Sequence, residues 1–270
     1  MPELPEVQTT INGLNKTVRG RKITGVWSDY RRNPVPSSIV GAKIRGVQRR
    51  GKNILINLSN GETLLIHMKM TVHFVYNRLH YPYVRFSLTL DNGKILSLSD
   101  MRRFAKVATI DTKDLERSAH LEHLGPEPLT SNFKLTNFKT QLLKRPNGKI
   151  KQVLMDQTLV AGIGNIYSDE ILWRAGVHPL SIPKAIPDKQ FKLMFTSMKK
   201  VLKEGIDFGG DSMSDYRNIK GDKGEFQEHH RAYRRTGKPC TKSGCKGVIT
   251  RIIVGTRSTH FCPIHQKLYQ

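Results

Sequence analysis

The feature that most limits how this chain can fold is a change in the spacing of its apolar residues near the middle. Between Ile23 and Thr109 the period is two: Val84, Phe86, Leu88 and Leu90 alternate with Arg85, Ser87 and Thr89, which gives a strand one apolar and one polar face. Asp91-Asn92-Gly93 then turns the chain into Lys94 to Ser99. Ile54, Ile56 and Leu58 reach a similar turn at Ser59-Asn60-Gly61, followed by Glu62 to Met68. Repeated hairpins of this kind predict an antiparallel sandwich or barrel. Ahead of them Val7, Ile11, Leu14 and Val18 make one apolar stripe, which predicts a helix from Pro5 to Arg19 stopped by Gly20. Gly125-Pro126-Glu127-Pro128 interrupts all periodicity and reads as a linker.

Beyond it the pattern is helical. Phe138, Leu142 and Leu143 mark one helix, Lys149 to Asp156 a second, and Asn165 to Ala175 a third, closed by Gly176 and Pro179. A fourth runs from Asp188 to Glu204 with Phe191, Phe195, Met198 and Leu202 on one face. Gly209 to Glu225 is polar, glycine-rich and aperiodic, and a loop that long is either functional or disordered. The expected fold class is α+β: a β-sandwich domain with a leading helix over residues 1–124, a linker over 125–132, a helical domain over 133–232 and a terminal module over 233–270.

Charge narrows the partners. Forty-five Lys and Arg against 22 Asp and Glu leave a formal +23. The basic residues are spread along the chain, so the excess makes a broad positive field, and nucleic acid is the foremost polyanion to meet it. No stretch reaches the roughly 18 apolar residues of a membrane span, and the acidic, proline-containing start lacks the order of a secretion signal. A cytoplasmic, nucleoid-associated protein without a membrane partner is expected, acting as a monomer.

All three cysteines lie near the end. Cys240, Cys245, Cys262 and His265 form C-x4-C-x16-C-x2-H, two close pairs that suit a two-stranded zinc ribbon with Val248–Val254 and Thr259–Phe261 as strands. Four such donors leave no open position, so one structural zinc ion is expected. His260 is the alternative fourth donor, less well directed because it sits two residues before Cys262 on a strand. Arg257, in the expected ribbon tip, can clamp a phosphate or enter a groove.

The opening Met1-Pro2-Glu3-Leu4-Pro5-Glu6-Val7 is unusual. Removal of Met1 before a small residue such as proline exposes a secondary amine beside two carboxyl groups. Here the chain resembles the bacterial formamidopyrimidine-DNA glycosylase family. The resemblance recurs at Arg49-Arg50-Gly51-Lys52, His67-Met68-Lys69-Met70 and Asp100-Met101-Arg102-Arg103-Phe104. It is densest at Asp156-Gln157 and Val160-Ala161-Gly162-Ile163-Gly164-Asn165-Ile166-Tyr167, and it ends in the ribbon.

The resemblance implies a bifunctional DNA glycosylase and abasic-site lyase, with Pro2 as nucleophile and Glu3 as the acid that protonates the sugar ring oxygen. Glu6 would be a proton shuttle or structural partner. A terminal α-amine titrates near 8 against about 10.4 for lysine, so more of it is free base near neutrality. Condensation of proline with the opened sugar gives an iminium ion directly, an electron sink for β- and δ-elimination.

Lys52, on a predicted strand, would contact phosphate and support catalysis. Asn165 would hold phosphate at the start of a helix in a helix-two-turn-helix element, where the macrodipole favours an anion. Lys151, His67 and Tyr233 match further phosphate-contacting positions. Met70, Arg102 and Phe104 would fill the space left by an everted base, and the loop over about 209–226 would cover the lesion. The implied partner is double-stranded DNA with oxidised bases or abasic sites, no catalytic metal or organic cofactor being required.

Leu4 and the Phe226-Gln227 and His229-His230 pairs point to the branch acting on oxidised purines such as 8-oxoguanine and formamidopyrimidines. The competing readings are an endonuclease VIII-type enzyme for oxidised pyrimidines and a non-catalytic zinc-finger DNA-binding protein. The sequence departs from the family pattern at the Cys-x4-Cys spacing, at His265 in place of cysteine, at Lys69 and Val72 around Met70, and at Arg235 after Tyr233-Arg234.

Overall fold

The computed structural model of this chain describes residues 1–30, 36–70, 72–213 and 216–270. They form two compact units, Met1–His123 with Gly205–Gln227 and Leu124–Glu204 with Glu228–Gln270.

In the first unit α1 (Leu4–Thr17) precedes eight strands: β1 (Ile23–Ser28), β2 (Ile44–Arg50), β3 (Asn53–Leu58), β4 (Glu62–His67), β5 (Val72–Tyr76), β6 (Val84–Leu90), β7 (Ile95–Asp100) and β8 (Lys106–Asp111). They make two four-stranded antiparallel sheets, ordered β1-β6-β7-β5 and β2-β3-β4-β8. The period-two residues do what their spacing predicts. Ile54, Ile56, Leu64 and Ile66 of one sheet and Phe74, Phe86, Leu88, Leu96 and Leu98 of the other are fully buried in one core, each such side chain contributing about 1.5–3 kcal/mol relative to exposure. Both Asn-Gly turns fall between paired strands, with Gly61 at φ 88° and Gly93 at φ 74°, a backbone region that glycine enters without steric cost.

Helix α1 lays Val7, Ile11 and Leu14 into that core. It is also stitched to β2, because the Asn15 amide donates to the Val47 carbonyl (2.8 Å) and accepts from the Val47 N–H (2.9 Å). Gly20 ends the segment at φ 81°, donating to the Ile44 carbonyl at 2.7 Å.

The second unit holds α2 (Leu135–Leu143), α3 (Ile150–Met155), α4 (Asn165–Ala175) and most of α5 (Asp188–Asp207), followed by a ribbon of β9 (Thr250–Val254) paired with β10 (Arg257–Phe261). The ribbon turns on Gly255 and Thr256 alone, so Arg257 opens β10 opposite Val254 rather than sitting in a wider tip.

Three expectations are corrected by the fold. The Gly125-Pro126 segment is not a free linker. Gly125 N–H donates to the Gln157 carbonyl (2.8 Å), Ala161 N–H donates to the Pro126 carbonyl (3.1 Å), and a β-carbon at Gly125 would lie 2.6 Å from the backbone of Thr158 and Leu159. The 209–226 loop groups with the sandwich and not with the helices. Tyr76 N–H donates to the Ile219 carbonyl (3.0 Å), Ile219 is buried, and the Tyr216 hydroxyl donates to the Glu6 carbonyl (3.0 Å); Ser214 and Asp215 of that loop lie outside the described residues. Lys52 stands in the two-residue turn between β2 and β3 and not on a strand, because Arg50 already pairs with Asn53 and Gly51, at φ 58°, closes the hairpin.

Candidate active site and metal centre

The start of α1 is a buried acidic corner. Pro2 is buried behind an exposed Met1, and Glu3 and Glu6 are only 3% and 1% exposed. Burying a carboxylate is tolerable only with hydrogen bonds, and Glu6 has them. Its Oε2 accepts from the Glu3 N–H (2.7 Å) and its Oε1 from the Asp211 N–H (2.8 Å). The first bond satisfies a donor that the helix leaves open; the second ties the 209–226 loop to the helix start. Gly210 takes φ 88°, and a β-carbon there would sit 3.0 Å from the Glu6 side chain. Glu3 shares this cap, its side chain accepting from the Glu6 N–H, so both carboxyls brace the corner and Glu3 is the one adjacent to Pro2 in the chain.

Strand register gathers the next group. Asn53, His67 and Lys106 are aligned across β3, β4 and β8 at one end of their sheet. The Lys52 turn, the His67–Met70 segment and the segment leading into Lys106 therefore emerge together. Arg49 links this end to α1, donating from Nε to Gln8 Oε1 and from a guanidinium nitrogen to the Gly51 carbonyl, both at 3.1 Å. Burial, reinforced by the positive charges of Lys69 and Lys52, pushes His67 down to about 4. It is a neutral imidazole near neutrality, able to hydrogen-bond a phosphate or sugar oxygen but not to pair with it as a cation.

Met70, Arg102 and Phe104 form one exposed cluster. Met70 and Phe104 are 40% and 48% exposed, so neither is core. The Arg102 guanidinium lies 4.5 Å from the centre of the Phe104 ring and 3.9 Å from the Met70 sulfur. Their presentation depends on a clamp beneath them. Asp100, fully buried, accepts from the Ala105 N–H (2.8 Å) and the Tyr30 hydroxyl (2.9 Å). Arg103, at φ 55°, reaches Asp29 at 2.9 Å, where Arg85 also binds at 3.0 Å.

In the second unit Gln157 shapes the turn between α3 and α4, donating to the Ile163 carbonyl (2.7 Å) and accepting from the Gly162 N–H (2.9 Å). Gly162 adopts φ 95°, and the chain enters α4 at Asn165, its first helical residue. The Asn165 Oδ1 is buried with no hydrogen-bond partner among the described residues, while the helix start offers open N–H donors to an anion.

Lys151 is not where a phosphate could reach it. Its side chain is fully buried and its ammonium donates to Asp169 Oδ1 (2.6 Å) and to the Asn165 carbonyl (2.8 Å). It braces the start of α4 from inside, which corrects the expectation of a direct phosphate contact. The other Asp169 oxygen accepts from the His260 N–H (2.9 Å) and lies 3.2 Å from His260 Nδ1. Glu170 accepts from the N–H groups of Arg231, Ala232 and Tyr233 at 2.8, 2.9 and 2.8 Å. Tyr233, half-buried, has His230 and His260 edge-on to its ring. Arg257 is exposed.

The sulfurs of Cys240 and Cys262 and a nitrogen of His265 lie within 4.8 Å of one another, and the Cys245 sulfur is 3.6 Å from that of Cys262. Three cysteines and a histidine are thus positioned to bind a metal. Gly247 lines the cradle; a β-carbon there would come within 2.5 Å of the Cys262 sulfur. Of the two candidate histidines it is His265 whose ring nitrogen lies with the sulfurs, while His260 Nδ1 lies beside Asp169.

The sequence reading missed Asp100, Asp169, Glu170 and Trp173. Its motifs contained the first, and Asp169-Glu170 lie one helical turn beyond the glycine-rich entry to α4, but a buried carboxylate gives no signal until its backbone partners, distant in sequence, are brought to it.

A helix-led antiparallel sandwich with a buried acidic corner, joined in one chain to a helical unit bearing a cysteine–histidine ribbon, defines a narrow class. The family model described as formamidopyrimidine-DNA glycosylase N-terminal domain matches residues 1–107, and that described as formamidopyrimidine-DNA glycosylase H2TH domain matches residues 124–217. A formamidopyrimidine-DNA glycosylase of Chloroflexus aggregans is 39% identical over 282 residues, covering all of both chains. The crystal structure of the MutM (Fpg) protein of Thermus thermophilus superposes with a TM-score of 0.88 at 35% identity, covering 97% of each chain. A complex between Lactococcus lactis Fpg and DNA containing an abasic site gives a TM-score of 0.90 at 31% identity, over 98% of this chain and 99% of that one. The chain belongs to the formamidopyrimidine-DNA glycosylase family.

Proposed function

We propose that this protein excises oxidised purines from duplex DNA and then cleaves the strand, with Pro2 as its nucleophile. Glycosylase and abasic-site lyase activity in base excision repair accord with the family. The observation that supports the residue assignment is the corner in which Pro2 and Glu3 are buried together, with Glu6 holding the helix start to the Asp211 N–H. Once Met1 is removed, the Pro2 nitrogen attacks the sugar C1′ and the bond to the damaged base breaks, the base leaving with a proton. Glu3 protonates the ring oxygen, the ring opens, and the proline nitrogen and C1′ become an iminium ion. Loss of a C2′ proton then expels the 3′ phosphate, and a second elimination expels the 5′ phosphate. Lys52 and a neutral His67 attend the phosphates beside the sugar.

Met70, Arg102 and Phe104 enter the space vacated by the everted base; exposure and mutual contact suit them to it. Asn165 at the α4 start, Tyr233 and Arg257 grip the backbone. The metal is a single zinc ion held by Cys240, Cys245, Cys262 and His265; with four protein donors its work is structural. No helix among the described residues is long and apolar enough to cross a membrane.

Borohydride trapping on a duplex with 8-oxoguanine opposite cytosine tests the assignment. Wild-type protein, verified by mass to lack Met1, is expected to form a covalent adduct that Pro2→Gly does not. Failure of the wild type to trap even an abasic duplex would overturn the covalent mechanism, and trapping restricted to oxidised pyrimidines would overturn the lesion class.

A further inference from the structure

We propose that Trp173 is a positioning residue of the metal centre, its indole N–H holding the Cys240 sulfur and its ring fixing the His265 imidazole. The inference deepens the zinc reading and rests on it. Trp173 Nε1 donates to the Cys240 Sγ at 3.4 Å, between two buried side chains. The imidazole meets the indole edge-on, with ring centres 5.1 Å apart and planes at 80°, and His265 Nδ1 lies 3.5 Å from the same sulfur. Trp173 packs in one buried cluster with Cys240, Cys262, Ala232 and Ile249.

A dication bound by three thiolates and a neutral imidazole leaves one net negative charge in an apolar setting. An N–H aimed at a thiolate offsets part of it, and Gly247 N–H does the same for Cys245 at 3.3 Å. A buried indole in turn needs an acceptor for its N–H, and here a metal-binding sulfur supplies it. Trp173 sits on α4, the helix that starts at Asn165 and whose Asp169 and Glu170 hold His260 and the Arg231–Tyr233 backbone. Metal, ribbon and α4 are thereby joined through one side chain. A histidine ligand makes this possible in a way a cysteine would not, since only the imidazole has a face and an edge for the indole to set.

The test uses the full-length protein with Trp27→Phe, which leaves Trp173 as the single tryptophan of the two in the chain. Elemental analysis comes first, and absence of equimolar zinc would overturn the zinc reading itself. With zinc verified, chelator competition is expected to show W173F binding zinc about 10-fold or more weakly; equal affinity would overturn the proposal while leaving the zinc site intact. Cobalt substitution supplies a readout that mere packing would not move. Loss of the N–H bond should shift the sulfur-to-cobalt charge-transfer bands of W173F to lower energy, and unshifted bands would count against the proposal. Should W173F fail to fold, cobalt loading of the Trp27→Phe protein decides. Strong quenching of Trp173 emission is expected, and undiminished emission would refute the contact.

Discussion

The two units bury carboxylates alike but place two basic residues singled out by the resemblance differently. In the first, Arg102 stands exposed with Met70 and Phe104 on a segment clamped by Asp100 and Arg103. In the second, α4 buries Ser168, Asp169 and Glu170 along with its apolar residues, and Lys151 is spent inside on Asp169. Two basic residues that the resemblance singled out alike, Arg102 and Lys151, thus end one exposed and the other as a buried brace. A motif match identifies a position, but burial decides whether the residue there meets the ligand or holds what does.

The sharpest ways to break this contrast are substitutions that separate activity from stability. Glu3→Gln should lower the rate of base excision by about 10²–10⁴-fold in single-turnover assays. Trapping on an already abasic, ring-opened site should survive, because no ring oxygen then needs a proton; parallel loss of both would recast Glu3 as purely structural.

Asp169→Ala should cost about 3–5 kcal/mol of stability, since it strands the Lys151 ammonium in the interior. Chemical denaturation of the zinc-loaded protein measures this, and a change below about 1 kcal/mol would mean that Lys151 finds water after all. Phe104→Ala should do the reverse. Stability should stay within about 0.5 kcal/mol of the parent, while affinity for a duplex with an abasic site weakens by about 1–3 kcal/mol, the scale of one aromatic–base stack. If Phe104→Ala instead lowers the melting point with affinity intact, the exposed cluster is packing.

The smallest effect is in acid. His67 falls from 6.5 to about 4 in the folded protein, so between these values the unfolded chain binds a proton that the folded one does not. Its contribution to stability should be complete above about pH 6.5 and decline as pH falls through that window, and His67→Gln should remove up to about one proton from the slope. An NMR titration of the imidazole with a midpoint near 6.5 would contradict the burial argument.

Much of this was legible in the residues. Alternation and Asn-Gly turns are local signals, so the sandwich and its hairpins could be read directly, as could the period-3.6 helices and the grouping of the cysteines with a histidine. The Met1–Val7 opening and the glycine-rich entry to α4 stood out because their residues are consecutive in the chain. The Gly125-Pro126 segment misled because Gly and Pro mark a break in regular structure without saying what packs on it. The 209–226 loop was assigned to the wrong unit for the same reason: nothing within it announces that Tyr216 and Ile219 anchor to α1 and β5. His260 and His265 were distinguishable only by weak geometry until the fold placed the His265 nitrogen beside the sulfurs.

By itself, then, the sequence determined which elements form and which residue types carry chemistry, since backbone periodicity, turn conformation and donor character are properties of neighbours along the chain. Only the tertiary structure decided which charges are tools and which are braces. That Lys151 is buried, that Glu6 is held by Asp211, and that Trp173 faces a sulfur 67 residues away all depend on partners remote in sequence. A buried polar group takes its role from whatever satisfies it.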